Sequence, residues 1–120
     1  MKITEVRVYS KRLPMASGYN MSSAAIGDPD TTIVQILTDT AHIGWGEICP
    51  TGPLAQSEHA GSIRADLALL GPALIGLDPR RLGLVHDAMV STMDGGHGAK
   101  SAVDVACWDL AGKAYGERVC

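Results

Sequence analysis

Glu47, Cys49, His59, His97 and Lys100 are the side chains of this sequence that could move a proton, attack a carbonyl or meet an ionic substrate. Glu47 lies two residues beyond Trp45 in a strand-like run, so the two share a face. It can serve as a carboxylate near a site, or simply as a hydrogen-bonded glutamate at a sheet edge. His59 falls in the opening turns of a helix and reads first as a structural residue. His97 precedes another helix and can assist its N-terminus. Lys100 stands in that helix's first turn, against the helix dipole, so it needs a partner such as Asp104 or a group from elsewhere. Cys49 has no base near it in sequence, as a nucleophile would require, and reads as a small packing residue. The histidines at 42, 59, 86 and 97 have no three- or four-residue spacing, so no helical metal pair forms. Nor is there a phosphate loop or nucleophile elbow. These side chains alone assign no reaction.

The elements that must position them are legible from patterning. Residues 3–12 alternate, with Thr4, Val6, Val8 and Ser10 on one face, and predict a half-buried strand. Residues 31–39 are rich in β-branched side chains and predict a more central strand. After a short turn at 40–42, residues 43–49 predict a third strand, antiparallel to the second. Gly44 and Gly46 within it imply a close neighbour on that side. Three helices follow. The first spans about 56–70, with Ile63, Leu67 and Leu70 on one stripe. The second opens at Asp78-Pro79 as cap and first residue, carries Leu82, Val85, Met89 and Met93 inward, and stops at Gly95-Gly96. The third, from about 98 to 113, is apolar on two sides. One stripe is Ala99, Val103, Ala106, Cys107, Leu110 and Ala114; the other is Val105, Trp108, Gly112 and Tyr115. Lys100–Asp104 and Asp109–Lys113, both at i, i+4, hold the polar seams. A helix of this kind needs two partners. The expected fold class is α+β: a three-stranded antiparallel meander followed by a three-helix layer.

The totals exclude several classes. With 120 residues, 46% hydrophobic, the chain is one domain with a real core. A net charge of −3 without a basic stripe argues against nucleic acid. No segment has the length of a membrane span, and the charged start lacks the apolar run of a signal peptide. Three unpatterned cysteines suit the cytoplasm better than a disulfide framework. The stretch 14–30 is long for a loop inside a compact domain, which points to function.

Taken together, Met1-Lys2-Ile3-Thr4 with its strand, Gly44-Trp45-Gly46-Glu47, the run Gly96-His97-Gly98-Ala99-Lys100-Ser101-Ala102-Val103-Asp104 and Trp108-Asp109-Leu110-Ala111-Gly112-Lys113 resemble the N-terminal capping domain of the mandelate racemase/muconate lactonising branch of the enolase superfamily. The resemblance covers the whole chain, residues 1–120. It implies a (β/α) barrel after residue 120, absent from this chain, carrying three carboxylates that bind Mg²⁺ and the lysine or histidine bases that remove a proton α to a substrate carboxylate. It implies that these 120 residues supply no catalytic group and no metal ligand, and are inactive by themselves. It further implies that two loops, 14–30 and 50–53, close the barrel mouth, with Tyr19, Met21, Ser22, Thr51, Gly52 and Pro53 meeting the substrate. Expected partners are the chain's own barrel, a small carboxylate substrate and further copies of the protein in a homo-oligomer. The run 47–53 followed by His59-Ala60-Gly61 looks most like hydroxyproline dehydratases and betaine epimerases, although Ala55 stands where those relatives carry a tyrosine. The competing expectation is a freestanding α+β binding module that uses the long loop for recognition. The exposure of Trp108 and Tyr115 in such a module would be costly, which favours the first expectation.

Overall fold

The computed structural model describes residues 1–17, 19–20, 25–51 and 57–120. Strand β1 (Ile3–Arg12), the short strands β2 (Tyr19–Asn20) and β3 (Ala25–Ile26), β4 (Asp30–Thr38) and β5 (Ile43–Ile48) precede helices α1 (Ala60–Leu74), α2 (Leu82–Thr92) and α3 (His97–Tyr115). β1, β4 and β5 form an antiparallel sheet in the order β1-β4-β5, and β2 pairs with β3 as a separate two-stranded ribbon inside the long loop. The α+β meander with a three-helix layer is therefore present, with that ribbon added.

β4 is central because it can be buried on both sides. Thr32, Val34 and Ile36 face the helices, while Thr31 and Gln35 are nearly buried on the other face. The core joins Val34 and Ile36 to Ile63, Leu67, Leu70 and Leu74 of α1, Val85 and Met89 of α2, and Val103, Cys107 and Leu110 of α3. α3 packs closely on β5. A Cβ built on Gly44 would come within 2.6 Å of the Leu110 side chain, and one built on Gly46 would run into the Ala102 carbonyl. At Gly46 the strand backbone meets the helix backbone directly, and at Gly44 the missing side chain leaves room for Leu110 beside the Ala106 carbonyl.

Several expectations are corrected. β1 is less than half-buried: Ile3 is buried and Val6 partly so, while Val8 and Tyr9 are exposed, because β1 is an edge strand that the helices only partly cover. α1 begins and ends four residues later than its pattern suggested. His59, not a residue near 56, is the N-cap, and the helix runs through Pro72 so that Leu74 can be buried. Proline forfeits one amide bond there, which a last-turn residue with a buried successor tolerates. α2 begins at Leu82, because Asp78-Pro79 opens a turn instead of the helix. Asp78 Oδ1 accepts from the Arg80 amide at 3.0 Å, and the Arg81 amide donates to the Asp78 carbonyl at 3.0 Å. Of the two kinds of partner open to Lys100, the structure has the group from elsewhere: its Nζ donates to the Met93 carbonyl at 2.7 Å, so the Lys100–Asp104 seam is not formed. Cys49 is exposed, and the adjacent Pro50 is buried in its stead.

Asp109 and Lys113 form the expected i, i+4 pair at 2.6 Å, but they do more than decorate a helix surface. The Asp109 carboxylate accepts from the Trp45 amide at 2.9 Å, and Lys113 donates to the Ile43 carbonyl at 2.7 Å. One acid and one base thus occupy outward-facing backbone groups of the edge strand β5, which discourages pairing with another strand.

Candidate functional site

The antiparallel pairing of β4 with β5 places Thr32 beside Ile48, so the exit of the first loop and the entry of the second lie side by side. Thr31 Oγ1 fastens them, lying 2.6 Å from Glu47 Oε1 and 3.2 Å from the Ile48 carbonyl. The start of α1 reaches the same end of the sheet. There Arg64 makes a two-pronged pair with Asp30, at 3.1 and 3.0 Å, and a further bond to Thr32 Oγ1 at 3.3 Å. Ser10 Oγ of β1 donates to Asp30 Oδ1 at 3.0 Å. The Arg64 guanidinium foremost, then Ser10, holds the Asp30 carboxyl below the usual carboxylate range.

An open cleft of about 340 Å³ lies where these elements meet, lined by residues from the first loop's exit (Asp28, Pro29, Asp30), from the second loop (Pro50, Thr51) and from the start of α1 (His59, Ala60, Gly61). His59 caps the helix. Its Nδ1 accepts from the Ser62 amide at 3.1 Å, while Ser62 Oγ accepts from the His59 amide at 3.1 Å, a reciprocal capping box. An acceptor role for Nδ1 puts the ring proton of the neutral imidazole on Nε2. The first-turn amides of α1 give this side of the cleft a partial positive character, suited to a carboxylate.

Of the residues anticipated from sequence, Thr51 is exposed and lines the cleft. Tyr19 lies in β2, paired with Ile26. Met21, Ser22, Gly52 and Pro53 lie outside the described residues. Glu47 bonds to Thr31, and His97 opens α3 without capping it. Sequence reasoning missed three residues that build this end of the domain: Asp30, Arg64 and Glu58. Glu58 Oε2 accepts from the Gly98 amide at 2.9 Å and so ties the exit of the second loop to the start of α3, forty residues onward. The acidic residues beside the cleft are committed to the protein itself. Both Asp30 oxygens bind Arg64, and Asp28 Oδ1 accepts from the Met15 amide at 3.3 Å. Among the described residues, no group of three or more His, Cys, Asp or Glu side chains could hold a metal ion. Cys107 is also unsuited to chemistry: burial foremost, then Asp104, pushes its thiol up to about 12.

A three-stranded sheet backed by three helices, with the bases of two loops at one end, defines a class, and the comparisons with known proteins agree. The family profile "Mandelate racemase / muconate lactonizing enzyme, N-terminal domain" matches residues 3–120, and the chain belongs to that family. It is 39% identical over 119 residues to cis-3-hydroxy-L-proline dehydratase of Roseibium aggregatum, covering 98% of this chain and 32% of that protein. It is 34% identical over 119 residues to N-succinyl-L-Arg/Lys racemase of Bacillus cereus, covering 99% of this chain and 32% of that protein. A solved structure of the mandelate racemase/muconate lactonizing type from Roseovarius nubinhibens ISM, complexed with magnesium, superposes with a TM-score of 0.91 at 40% identity, over 96% of this chain and 31% of that one. The chain thus spans about a third of the length of the relatives it matches. Those relatives are racemases, epimerases and dehydratases of the enolase superfamily.

Proposed function

We propose that this chain is the substrate-capping domain of a Mg²⁺-dependent enzyme that removes the proton α to a carboxylate, as a racemase, epimerase or dehydratase. The observation that carries this reading is the cleft at which both loops meet α1, with Thr51 on its wall. In this reading residues 1–120 form one domain, followed by a catalytic barrel. The bases and the Mg²⁺ ligands belong to that barrel, because Asp28 and Asp30, the acids at the cleft, are already engaged. Mg²⁺ would there stabilise the charge that develops on the substrate carboxylate.

What this chain contributes is binding and exclusion of water. Tyr19, Met21 and Ser22 of the first loop, and Thr51, Gly52 and Pro53 of the second, cover the substrate and select its side chain. The Arg64–Asp30–Ser10 set and the Glu58–Gly98 bond hold the loop bases on α1, β1 and α3. That rigid footing lets the loop tips close to a defined position. The likeness to a hydroxyproline dehydratase supports a proline derivative or related small acid as substrate. The free cysteines, Cys49, Cys107 and Cys120, suit a cytoplasmic enzyme.

The test is kinetic, on the longer polypeptide that includes the barrel, with proline derivatives and N-acyl amino acids as substrates. Tyr19→Ala and Thr51→Ala should each lower kcat/KM by about tenfold, roughly 1.4 kcal/mol of transition-state stabilisation. Unchanged kcat/KM for every turned-over substrate would show that the loops are surface excursions.

A further inference from the structure

His59 has one ring nitrogen in use and one to spare. Its Nδ1 takes the Ser62 amide at 3.1 Å. An amide can only donate, so Nδ1 carries no hydrogen and the neutral ring holds its N–H at Nε2. The two nitrogens lie on opposite edges of an imidazole. With Nδ1 turned to the first turn of α1, the Nε2–H bond points away from that helix. The remaining bonds of His59, with Ser62 Oγ and the Ile63 amide, are made by its backbone, which leaves Nε2 without a partner among the described residues. The ring is exposed, on the wall of the cleft that both loops share. Gly61 keeps it there: a Cβ at that position would stand 3.2 Å from Nδ1 and 3.3 Å from Cε1, tighter than ordinary contact, and would press the ring from its place.

Resting on the capping role proposed above, we infer that His59 selects the substrate. Its Nε2–H donates to a neutral oxygen acceptor, a hydroxyl or an amide carbonyl, on the part of the acid remote from the reacting carboxylate. The capping box supports this by fixing tautomer and ring orientation before any ligand arrives, so the donor is held ready. The other polar groups on the wall narrow the choice. Both Asp30 oxygens bind Arg64, Asp28 Oδ1 takes the Met15 amide, and ionised carboxylates only accept. The side-chain donors that line the cleft are therefore His59 and Thr51. Charge decides between kinds of acceptor. Asp28 and Asp30 stand against Arg64 alone, so this end of the domain repels a second carboxylate and tolerates a neutral oxygen. An acid that lacks the acceptor leaves the imidazole N–H unpaired when the loops close. The loss of one such bond lowers affinity by about tenfold.

The test separates the cap from the donor. Asparagine and serine are good N-caps, so His59→Asn and His59→Ser keep an acceptor for the Ser62 amide and lose the ring N–H. Urea unfolding of the 120-residue chain should give all three forms the same midpoint. Binding is then read by titration calorimetry on the longer polypeptide with Mg²⁺, using pairs of acids that differ by one hydroxyl: a hydroxyproline against proline, and an N-(4-hydroxybutanoyl) amino acid against its N-pentanoyl isostere. In at least one pair the unsubstituted protein should bind the hydroxyl member about tenfold more tightly, and both variants should bind the two members alike. The N-glutaryl amino acid, which ends in a second carboxylate, should bind no better than the N-pentanoyl one. A preference that survives in the variants overturns the inference. So does the absence of any preference in the unsubstituted protein, binding of none of these acids, a tighter N-glutaryl complex, or a hydrogen found on Nδ1 by proton–nitrogen correlation NMR of His59. Because binding is read and not turnover, an acid that binds with this preference yet keeps its α-proton counts against the proposed activity and supports the role of His59.

Discussion

Replacing Gly46 by alanine tests the packing on which the whole domain rests. The added methyl would run into the Ala102 carbonyl oxygen and lie 3.0 Å from both the Ala102 carbonyl carbon and the Ala106 nitrogen. These are helix backbone atoms, which cannot rotate aside as a side-chain tip can. To reach ordinary van der Waals distance, α3 must lift off β5 by roughly 1 Å or more. A gap of that width forfeits a quarter to a half of the contact energy along the face it opens. It also stretches the bond from the Trp45 amide to Asp109, now 2.9 Å. Overpacking of this kind costs about 1–3 kcal/mol, and a weakened amide–carboxylate bond about 1 kcal/mol more. The expected loss is about 2–4 kcal/mol, a large share of a small domain's stability. The assay is urea unfolding followed by far-ultraviolet circular dichroism. Gly83→Ala is the control: nothing lies within 4 Å of its added methyl in exposed α2, so it should stabilise by about 0.5–1 kcal/mol. A cost below about 1 kcal/mol for Gly46→Ala would refute the claim that α3 and β5 pack backbone to backbone.

Three further outcomes are expected. Trp108, 46% exposed here, should cost less than about 1 kcal/mol as Trp108→Ala in this chain and about 3–5 kcal/mol in the longer polypeptide, measured by urea unfolding of each; equal costs would mean the ring is already satisfied within the domain. Asp109→Ala should destabilise by about 1 kcal/mol and raise the exchange rate of the Trp45 amide, read by hydrogen-exchange NMR, because the edge strand loses its acceptor. Asp78, whose carboxyl Arg80 holds down at about 2, has a folded value below its unfolded one; its contribution is present at pH values above about 4 and is lost as pH falls toward 2. Asp78→Asn should therefore flatten the acid limb of the urea midpoint against pH between those values, while leaving the slope near neutrality unchanged.

What could be read from the residues alone depended on how local the cause was. Gly44 and Gly46 in a strand announced a close neighbour, and the two stripes of α3 announced both its buried face and the exposure of Trp108 and Tyr115. Boundaries were less legible, because two signals compete near each end of α1 and at the start of α2. Gly71-Pro72 looks like a helix stop, but the burial of Leu74 draws the helix onward. Asp78-Pro79 is as good a turn as a helix start, and the bonds from the Arg80 amide and guanidinium decide for the turn. At the cleft, the loops were recognisable by length and composition. Their footing was not: Arg64 meets Asp30 from thirty-four residues away, and Glu58 meets Gly98 from forty. Nothing in the spacing of a single sequence reports such pairs. Asp109 and Lys113 show the same limit on a smaller scale, since their i, i+4 spacing predicts the pair but not its role in covering the edge of β5.

The central claim is that this domain caps a site where a proton is removed from the carbon next to a carboxylate. The most direct measurement is proton NMR of the longer polypeptide with Mg²⁺ in D₂O, supplied in turn with proline derivatives and N-acyl amino acids. Its signature is loss of the substrate's α-proton signal. The account predicts that at least one of these acids exchanges or eliminates its α-proton, that chelation of Mg²⁺ stops it, and that Tyr19→Ala slows it about tenfold. Retention of the α-proton in every acid tested, or loss at an undiminished rate in the Tyr19 variant, would contradict it.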